Sequence, residues 1–230
     1  MNAIILAAGM GTRLRPLTDN TPKSLIEVNG QPIIERQIEY LQAIGIDEIT
    51  VVTGYLHEQF DYLIDKYGVE LLYNDKYDVY NNGYTMYLVR ERLQDNLVLE
   101  GDVYLVTNFL LSDLNHSTYF CGDRNEFSNE WLLTFNDDND IVDINVKSGT
   151  GYIMSGVSYW TVEDGKKIKE MLEDMVASGG FENLFWDDLV KDNLKDFNIK
   201  IHKIRSNDWV EIDSVEDLKL AEDVENKSCL

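Results

Sequence analysis

Hydrophobic positions follow two rhythms along the chain. Asn2 to Ala8 is an unbroken apolar run stopped by Gly9, the pattern of a strand covered on both faces in a parallel sheet. Ile33, Ile34, Gln37, Ile38, Leu41 and Ile44 then recur at helical spacing, with Pro32 ahead and Gly45 behind, and predict a helix over Pro32 to Ile44. The alternation continues with a strand over Glu48 to Thr53, a helix over His57 to Tyr67 closed by Gly68, and a strand over Glu70 to Tyr73. Strand–helix–strand repetition of this kind requires a parallel sheet flanked by helices.

A polar, aromatic-rich loop over Asn74 to Tyr84 leads into a predicted helix, Thr85 to Leu93. A fourth strand, Asn96 to Glu100, follows and delivers Gly101-Asp102 at its carboxyl end. From Thr118 to Trp160 the rhythm shortens to four short strands, Tyr119 to Cys121, Trp131 to Phe135, Ile141 to Val146 and Val157 to Trp160, so the second half is expected to be more antiparallel. Helices Val162 to Ala177 and Trp186 to Leu194, a strand Ile199 to Ile204 and a helix Val215 to Val224 complete the prediction. With no internal repeat and no Pro-, Gly- or Ser-rich linker, residues 1–230 are expected to form one α/β domain whose halves, 1–110 and 111–230, share a sheet.

Composition narrows the function. At 44% hydrophobic residues with 3 prolines in 230, the chain is globular rather than disordered. Its net charge of -22 repels phosphate backbones and anionic lipid, which argues against a nucleic-acid binder. Cys121 and Cys229 have no CxxC partner, a usage that excludes a disulfide framework and fits a reducing, cytoplasmic setting. Met1 to Ala8 lacks the basic lead and apolar length of a signal peptide, and no stretch of about 20 apolar residues offers a membrane span. A soluble protein without membrane insertion is expected.

Against this acidic background, Gly9-Met10-Gly11-Thr12-Arg13-Leu14-Arg15-Pro16-Leu17-Thr18, then Pro22-Lys23, forms a basic island. Residues 1–26 hold Arg13, Arg15 and Lys23 against Asp19 alone. Glycines let backbone N–H groups approach a phosphate, and Arg13 and Lys23 can neutralise it. The loop lacks the Gly-Lys-Ser/Thr of a P-loop and the third glycine of the dinucleotide fingerprint.

The string resembles the signature of the nucleotidyltransferases that join a nucleoside triphosphate to a phosphorylated small molecule, G-x-G-[ST]-R-L-x-P-x-T followed by P-K, and fills every position of it. Asn74-Asp75-Lys76-Tyr77, Tyr80-Asn81-Asn82, Asn129-Glu130-Trp131, Ser155-Gly156-Val157-Ser158, Trp186-Asp187 and Glu211-Ile212-Asp213-Ser214 are similar to the bacterial CTP:phosphocholine cytidylyltransferase branch. The resemblance implies a Rossmann-like, GT-A-like fold with a nucleotide-binding first half and an acceptor-binding second half. It implies CTP and phosphocholine as substrates and Mg²⁺ on Asp102 and Asp213. Lys23 and Arg13 would hold the triphosphate, and the base would lie on the backbone of Leu6, Ala8 and Gly9, near Gly11 and Thr12, under a loop carrying Asn82 and Tyr84. The chain departs from the choline-type pattern at Gly83, where those relatives carry a bulky residue, and at Glu100, where they carry aspartate.

Chemistry supports these roles independently. Mg²⁺ takes one or two carboxylates plus phosphate oxygens, and the carboxyl ends of parallel strands are where ligands dock. Asp213-Ser214-Val215-Glu216-Asp217 also reads as a helix start, with Ser214 as cap and Asp217 in the capping-box place. Glu211 shares a face with Asp213 if the segment is extended and is expected to assist it. A quaternary ammonium needs aromatic faces and a nearby carboxylate. Trp131, Trp186 and Tyr159, with Asp187 for charge, are the candidates, although Phe185, Trp186, Leu189, Val190 and Leu194 also read as a core stripe. The alternatives are a sugar-1-phosphate nucleotidyltransferase, a cytidylyltransferase for another aminoalkyl phosphate or phosphonate, and a nucleotide-sensing module without turnover.

Overall fold

The computed structural model describes residues 1–228, with side chains to 225; Cys229 lies outside the described residues. In chain order the strands are β1 (Asn2–Ala7), β2 (Glu27–Val28), β3 (Gln31–Pro32), β4 (Ile49–Thr53), β5 (Glu70–Tyr73), β6 (Asn96–Glu100), β7 (Val103–Leu105), β8 (Thr118–Phe135), β9 (Ile141–Trp160), β10 (Lys200–Ile204) and β11 (Trp209–Glu211). The α-helices are α1 (Ile33–Ala43), α2 (Tyr62–Tyr67), α3 (Asn82–Leu88), α4 (Val162–Ser178), α5 (Trp186–Asp192) and α6 (Val215–Ser228).

Seven strands form the central sheet in the order β10-β8-β9-β6-β1-β4-β5, so strands from both halves of the chain share it. β1 pairs in parallel with β4 and β6, and β4 with β5; β9 runs antiparallel to β6 and β8. The continuous apolar run of β1 is explained by cover on both sides. Ala3, Ile5 and Ala7 pack with α1 residues Ile34, Ile38 and Leu41, while Ile4 and Leu6 pack with Met86 of α3, Ile168 and Leu172 of α4, and Val190 of α5. A third cluster, Leu14, Ile26, Val28, Ile33, Tyr104, Val210 and Ile212, seats α6 beneath the glycine loop.

Three local differences from the sequence pattern have physical causes. The four short strands expected over residues 118–160 are two long ones, because residues 123–131 and 142–152 are largely exposed and polar, and their ladder, broken by register shifts, is held by backbone pairing that leaves no hydrophobic alternation. The segment expected as loop to Tyr84 turns helical at Asn82, since Asn81 caps it by accepting from Asn82 N at 2.8 Å. The helix expected over His57 to Tyr67 divides into a 3₁₀ turn, His57–Phe60, and α2. Two small ladders were not read from the sequence. β2–β3 turns at Asn29-Gly30, both at positive φ (49° and 85°), a hairpin signal the sequence did carry. β7–β11 has only three rungs and no local signal.

Helix α4 crosses the chain just past the 3₁₀ turn Arg90–Arg92 that follows α3, and at Gly165 an added Cβ would stand 1.8 Å from the Leu93 carbonyl oxygen. Backbone cannot yield cheaply there. Gly165→Ala is expected to cost about 3 kcal/mol, lowering Tm by roughly 6–12 °C in a scanning calorimetry comparison with wild type; an unchanged Tm would show that α4 can slide.

Candidate active site

At the carboxyl ends of β1 and β6 the chain leaves the sheet on both sides of one cavity of about 680 Å³. Gly101 sits between them, its N donating to the Leu6 carbonyl at 2.9 Å; a Cβ there would meet Ser24 Oγ at 2.6 Å and Leu6 O at 2.7 Å, so only glycine closes this seam. Gly11 adopts a left-handed conformation, and its carbonyl accepts from Leu14 N (3.0 Å) and Thr18 Oγ1 (2.8 Å), which folds the loop back over the strand end. Leu6, Ala8, Gly9, Gly11, Thr12, Arg13 and Lys23 all line the cavity.

Acidic groups face this loop. The antiparallel β7–β11 pair sets Glu211 opposite Val103, and Ile212 N donates to the Asp102 carbonyl at 3.0 Å, so Asp102 and Asp213 flank one rung. Carboxylate oxygens of Asp102, Glu211 and Asp213 lie within 4.8 Å of one another. Lys23 Nζ donates to Asp102 Oδ2 at 2.7 Å and Asp213 Oδ1 at 2.5 Å, and Arg13 pairs with the same Asp213 oxygen at 2.7 Å. Burial pulls the Lys23 ammonium down, but Asp102 and Asp213 outweigh it and hold the pKa above its usual value. Glu211, desolvated and facing Asp102 and Asp213, is pushed up to about 8. The helix cap is supplied by other residues: Asp217 Oδ2 accepts from Ser214 N (2.8 Å) and Asp213 N (3.1 Å), which leaves the Asp213 carboxylate for the cluster. Three crowded carboxylates with all-oxygen donors suit a hard divalent cation.

The opposite wall is aromatic. Trp131 stands edge-on to Phe185 with ring centroids 6.2 Å apart, and both line the cavity. Lys191 Nζ lies 5.5 Å from the Trp131 ring and is tied to Asp188 at 2.7 Å. Asp187 lines the same wall, accepts from the Tyr119 hydroxyl at 2.7 Å, and is pushed up to about 7 by desolvation. Glu100 joins the two walls: its Oε1 accepts from Asn82 Nδ2 (3.3 Å) and Trp186 Nε1 (3.4 Å), and desolvation followed by the charges of Asp102 and Asp187 raises its pKa well above the usual carboxylate range.

Several sequence expectations require correction. Tyr159, expected with Trp131 and Asp187, is not at the aromatic wall. It pairs with Leu97 near the amino end of β6, where its hydroxyl donates to Asp95 at 2.9 Å, because antiparallel β9 carries it to the end of the sheet opposite the cavity. Tyr84 stacks behind Tyr80 against Phe181 and Tyr87 and does not line the cavity. Trp186 is 2% exposed and packs edge-on against Trp160, so it backs the wall without lining the main cavity. Phe185, expected in that core stripe, is instead 43% exposed, since α5 begins only after it. Gly83 has a packing reason: a Cβ would meet the Leu184 carbonyl oxygen at 2.8 Å. Tyr77 and Glu130, to which the motifs Asn74-Asp75-Lys76-Tyr77 and Asn129-Glu130-Trp131 assigned no individual role, also line the cavity, and Tyr77 packs over Gly54.

Residues 3–123 match the family of MobA-like NTP transferase domains. The chain is 49% identical to choline-phosphate cytidylyltransferase of Streptococcus pneumoniae, over 97% of this chain and 98% of that one. It is 36% identical to 2-aminoethylphosphonate cytidylyltransferase of Lancefieldella rimae, over 94% and 90%. The solved structure of CTP:phosphocholine cytidylyltransferase from Streptococcus pneumoniae superposes with a TM-score of 0.95 at 49% identity, covering 97% of this chain and 98% of that chain.

The Asp187 site makes a direct prediction. Its folded value lies above that of the unfolded chain, so its contribution to stability is complete below about pH 4 and is lost as pH rises through about 7. Tyr119→Phe removes a donor to the charged form and should move the Asp187 midpoint up by about one to two pH units, read by carboxyl-carbon NMR titration. A downward move would contradict the hydrogen bond.

Proposed function

Since the chain belongs to the MobA-like NTP transferases, and among them to the choline-phosphate cytidylyltransferases, we propose that its cavity divides that reaction between a phosphate-binding loop and an aromatic acceptor wall. The enzyme forms CDP-choline and pyrophosphate from CTP and phosphocholine. A phosphate monoester has a second pKa near 6 and is largely dianionic at neutral pH, so its oxygen attacks the α-phosphorus without a general base. The bond to the bridging oxygen of the β-phosphate breaks, and pyrophosphate leaves.

In this reading the first half, residues 1–110, holds the nucleotide. The backbone of Leu6 to Gly9 receives the base, with Asn82 and the start of α3 above it. Lys23 and Arg13 neutralise the triphosphate and the leaving pyrophosphate. Asp102 and Asp213, with Glu211 beside them, would hold a divalent cation, and Mg²⁺, the ion their oxygens suit, would supply positive charge to the α-phosphate and the acceptor phosphate. Residues 111–230 supply the acceptor wall, where Trp131 and Phe185 offer ring faces and edges and Asp187 the countercharge to a cationic headgroup. The observation that carries this reading is the single cavity joining Lys23, Asp102 and Asp213 to Trp131 and Asp187. No helix among the described residues is long and apolar enough to cross a membrane, and we assign the reaction to the cytoplasm, where buried, unpaired Cys121 stays reduced.

The phosphonate-using relative favours one second reading, an aminoethyl headgroup seated by the same carboxylates. Pyrophosphate release, measured with Mg²⁺ and CTP against phosphocholine, phosphoethanolamine, 2-aminoethylphosphonate and sugar 1-phosphates, should be confined to phosphocholine. Preference for 2-aminoethylphosphonate would transfer the assignment to the second reading. Asp102→Asn is expected to lower kcat by about 10³-fold with the Tm kept, and an unaffected rate would remove it from the metal site. Trp131→Ala should raise KM for phosphocholine between about twofold and thirtyfold while leaving KM for CTP in place; equal effects on both would take Trp131 out of the acceptor wall.

A further inference from the structure

Lys23 lines the cavity, but its ammonium is held by acids rather than left free. Its stem packs on Gly11, where an added Cβ would stand 2.9 Å from Lys23 Cβ, and its side chain is 11% exposed. Its ammonium lies between Asp102 and Asp213, 2.7 and 2.5 Å from their oxygens, and Arg13 adds a second cation to the same Asp213 oxygen. These are two of the three carboxylates assigned above to the divalent ion. An ammonium bonded to Asp102 Oδ2 and Asp213 Oδ1 competes with a divalent cation for the same two carboxylates, because it neutralises part of their charge and like charges repel.

We propose that Lys23 is the internal counter-cation of the carboxylate cluster, and that the polyphosphate of the incoming nucleotide opens the cluster to a divalent cation by drawing Lys23 away from Asp102 and Asp213. The inference rests on the metal assignment made above and concerns when that site can load. With Lys23 and Arg13 in place, two positive charges face the three carboxylates of Asp102, Glu211 and Asp213. A polyphosphate gives both side chains an alternative anion on the glycine-loop side of the cavity, so ion pairs are exchanged rather than lost. The carboxylates released together then attract a dication more strongly. Linkage makes the effect reciprocal: nucleotide and metal each strengthen the binding of the other, and metal alone binds poorly.

The test uses the full chain and Mn²⁺ as the probe, with free Mn²⁺ followed by electron paramagnetic resonance. Without nucleotide, Lys23→Met should bind Mn²⁺ at least about tenfold tighter than wild type, and adding Asp213→Asn to it should abolish the gain. Equal affinity of wild type and Lys23→Met would overturn the proposal. Should Lys23→Met fail to fold, nitrogen NMR of the Lys23 ammonium in the wild-type protein decides the matter. Inorganic tripolyphosphate alone should release it from the carboxylates, and millimolar Mg²⁺ alone should not. Release by Mg²⁺ alone, or none by tripolyphosphate, would overturn the proposal. The failure of the metal assignment itself is distinguishable: Mn²⁺ affinity would then be insensitive to Asp102→Asn and Asp213→Asn in either background.

Discussion

Three antiparallel rungs between β7 and β11 hold the chemistry of this protein together. They place Glu211 opposite Val103 and bring Ile212 N to the Asp102 carbonyl, so two acids from the last 20 residues meet one that leaves the central strand. Three carboxylates at such range repel one another and resist burial, which is why Glu211 is driven toward its protonated form. Packing underwrites the arrangement: Val210 on the late strand, Ile212 just past its end and Tyr104 on the early strand enter the same buried cluster as Leu14 and Ile33. The apolar side of the ladder thus anchors the element whose polar side is electrostatically unfavourable.

The cations that answer this charge come from the glycine loop, and the loop's shape follows from its glycines. Gly11 lets the chain turn left-handed and leaves room for the Lys23 stem, so Lys23 reaches the acids from a fixed direction. Lys23, Asp102 and Asp213 are distant in sequence yet joined by hydrogen bonds of 2.5 to 2.7 Å. The basic groups of the glycine loop and the carboxylates are therefore one electrostatic unit.

Glu100 couples that unit to the aromatic wall. Its carboxyl group takes hydrogen bonds from Asn82 at the start of α3 and from the indole of Trp186 at the start of α5. The two helices belong to different halves of the chain, and the same contact sets where Phe185 and Asp187 enter the cavity. Longer than aspartate by one methylene, the side chain at this position spans helices that a shorter acid would have to draw inward.

Much of this was legible in the residues. The apolar run of β1, the helical spacing of α1 and α4 and the alternation between them led to a parallel sheet, because burial on both faces leaves a periodic trace in local sequence. The glycine loop was legible because backbone approach and positive charge need particular residue types at fixed spacing. Less visible were elements whose reasons are not local. The extended ribbon of β8 and β9 is polar through its middle, Tyr77 earns no sequence signal for packing on Gly54, and the aromatic residues Tyr84, Tyr159, Trp186 and Phe185 look alike whether they face substrate or core. Local sequence was enough for most of the strand and helix framework, for the glycine loop with its basic residues and for the supply of acids and aromatics. Which acids share a cluster, where Lys23 directs its charge and which aromatics face the cavity come from the fold alone, because they depend on strand direction and on a three-rung pairing that spans more than 100 residues of chain.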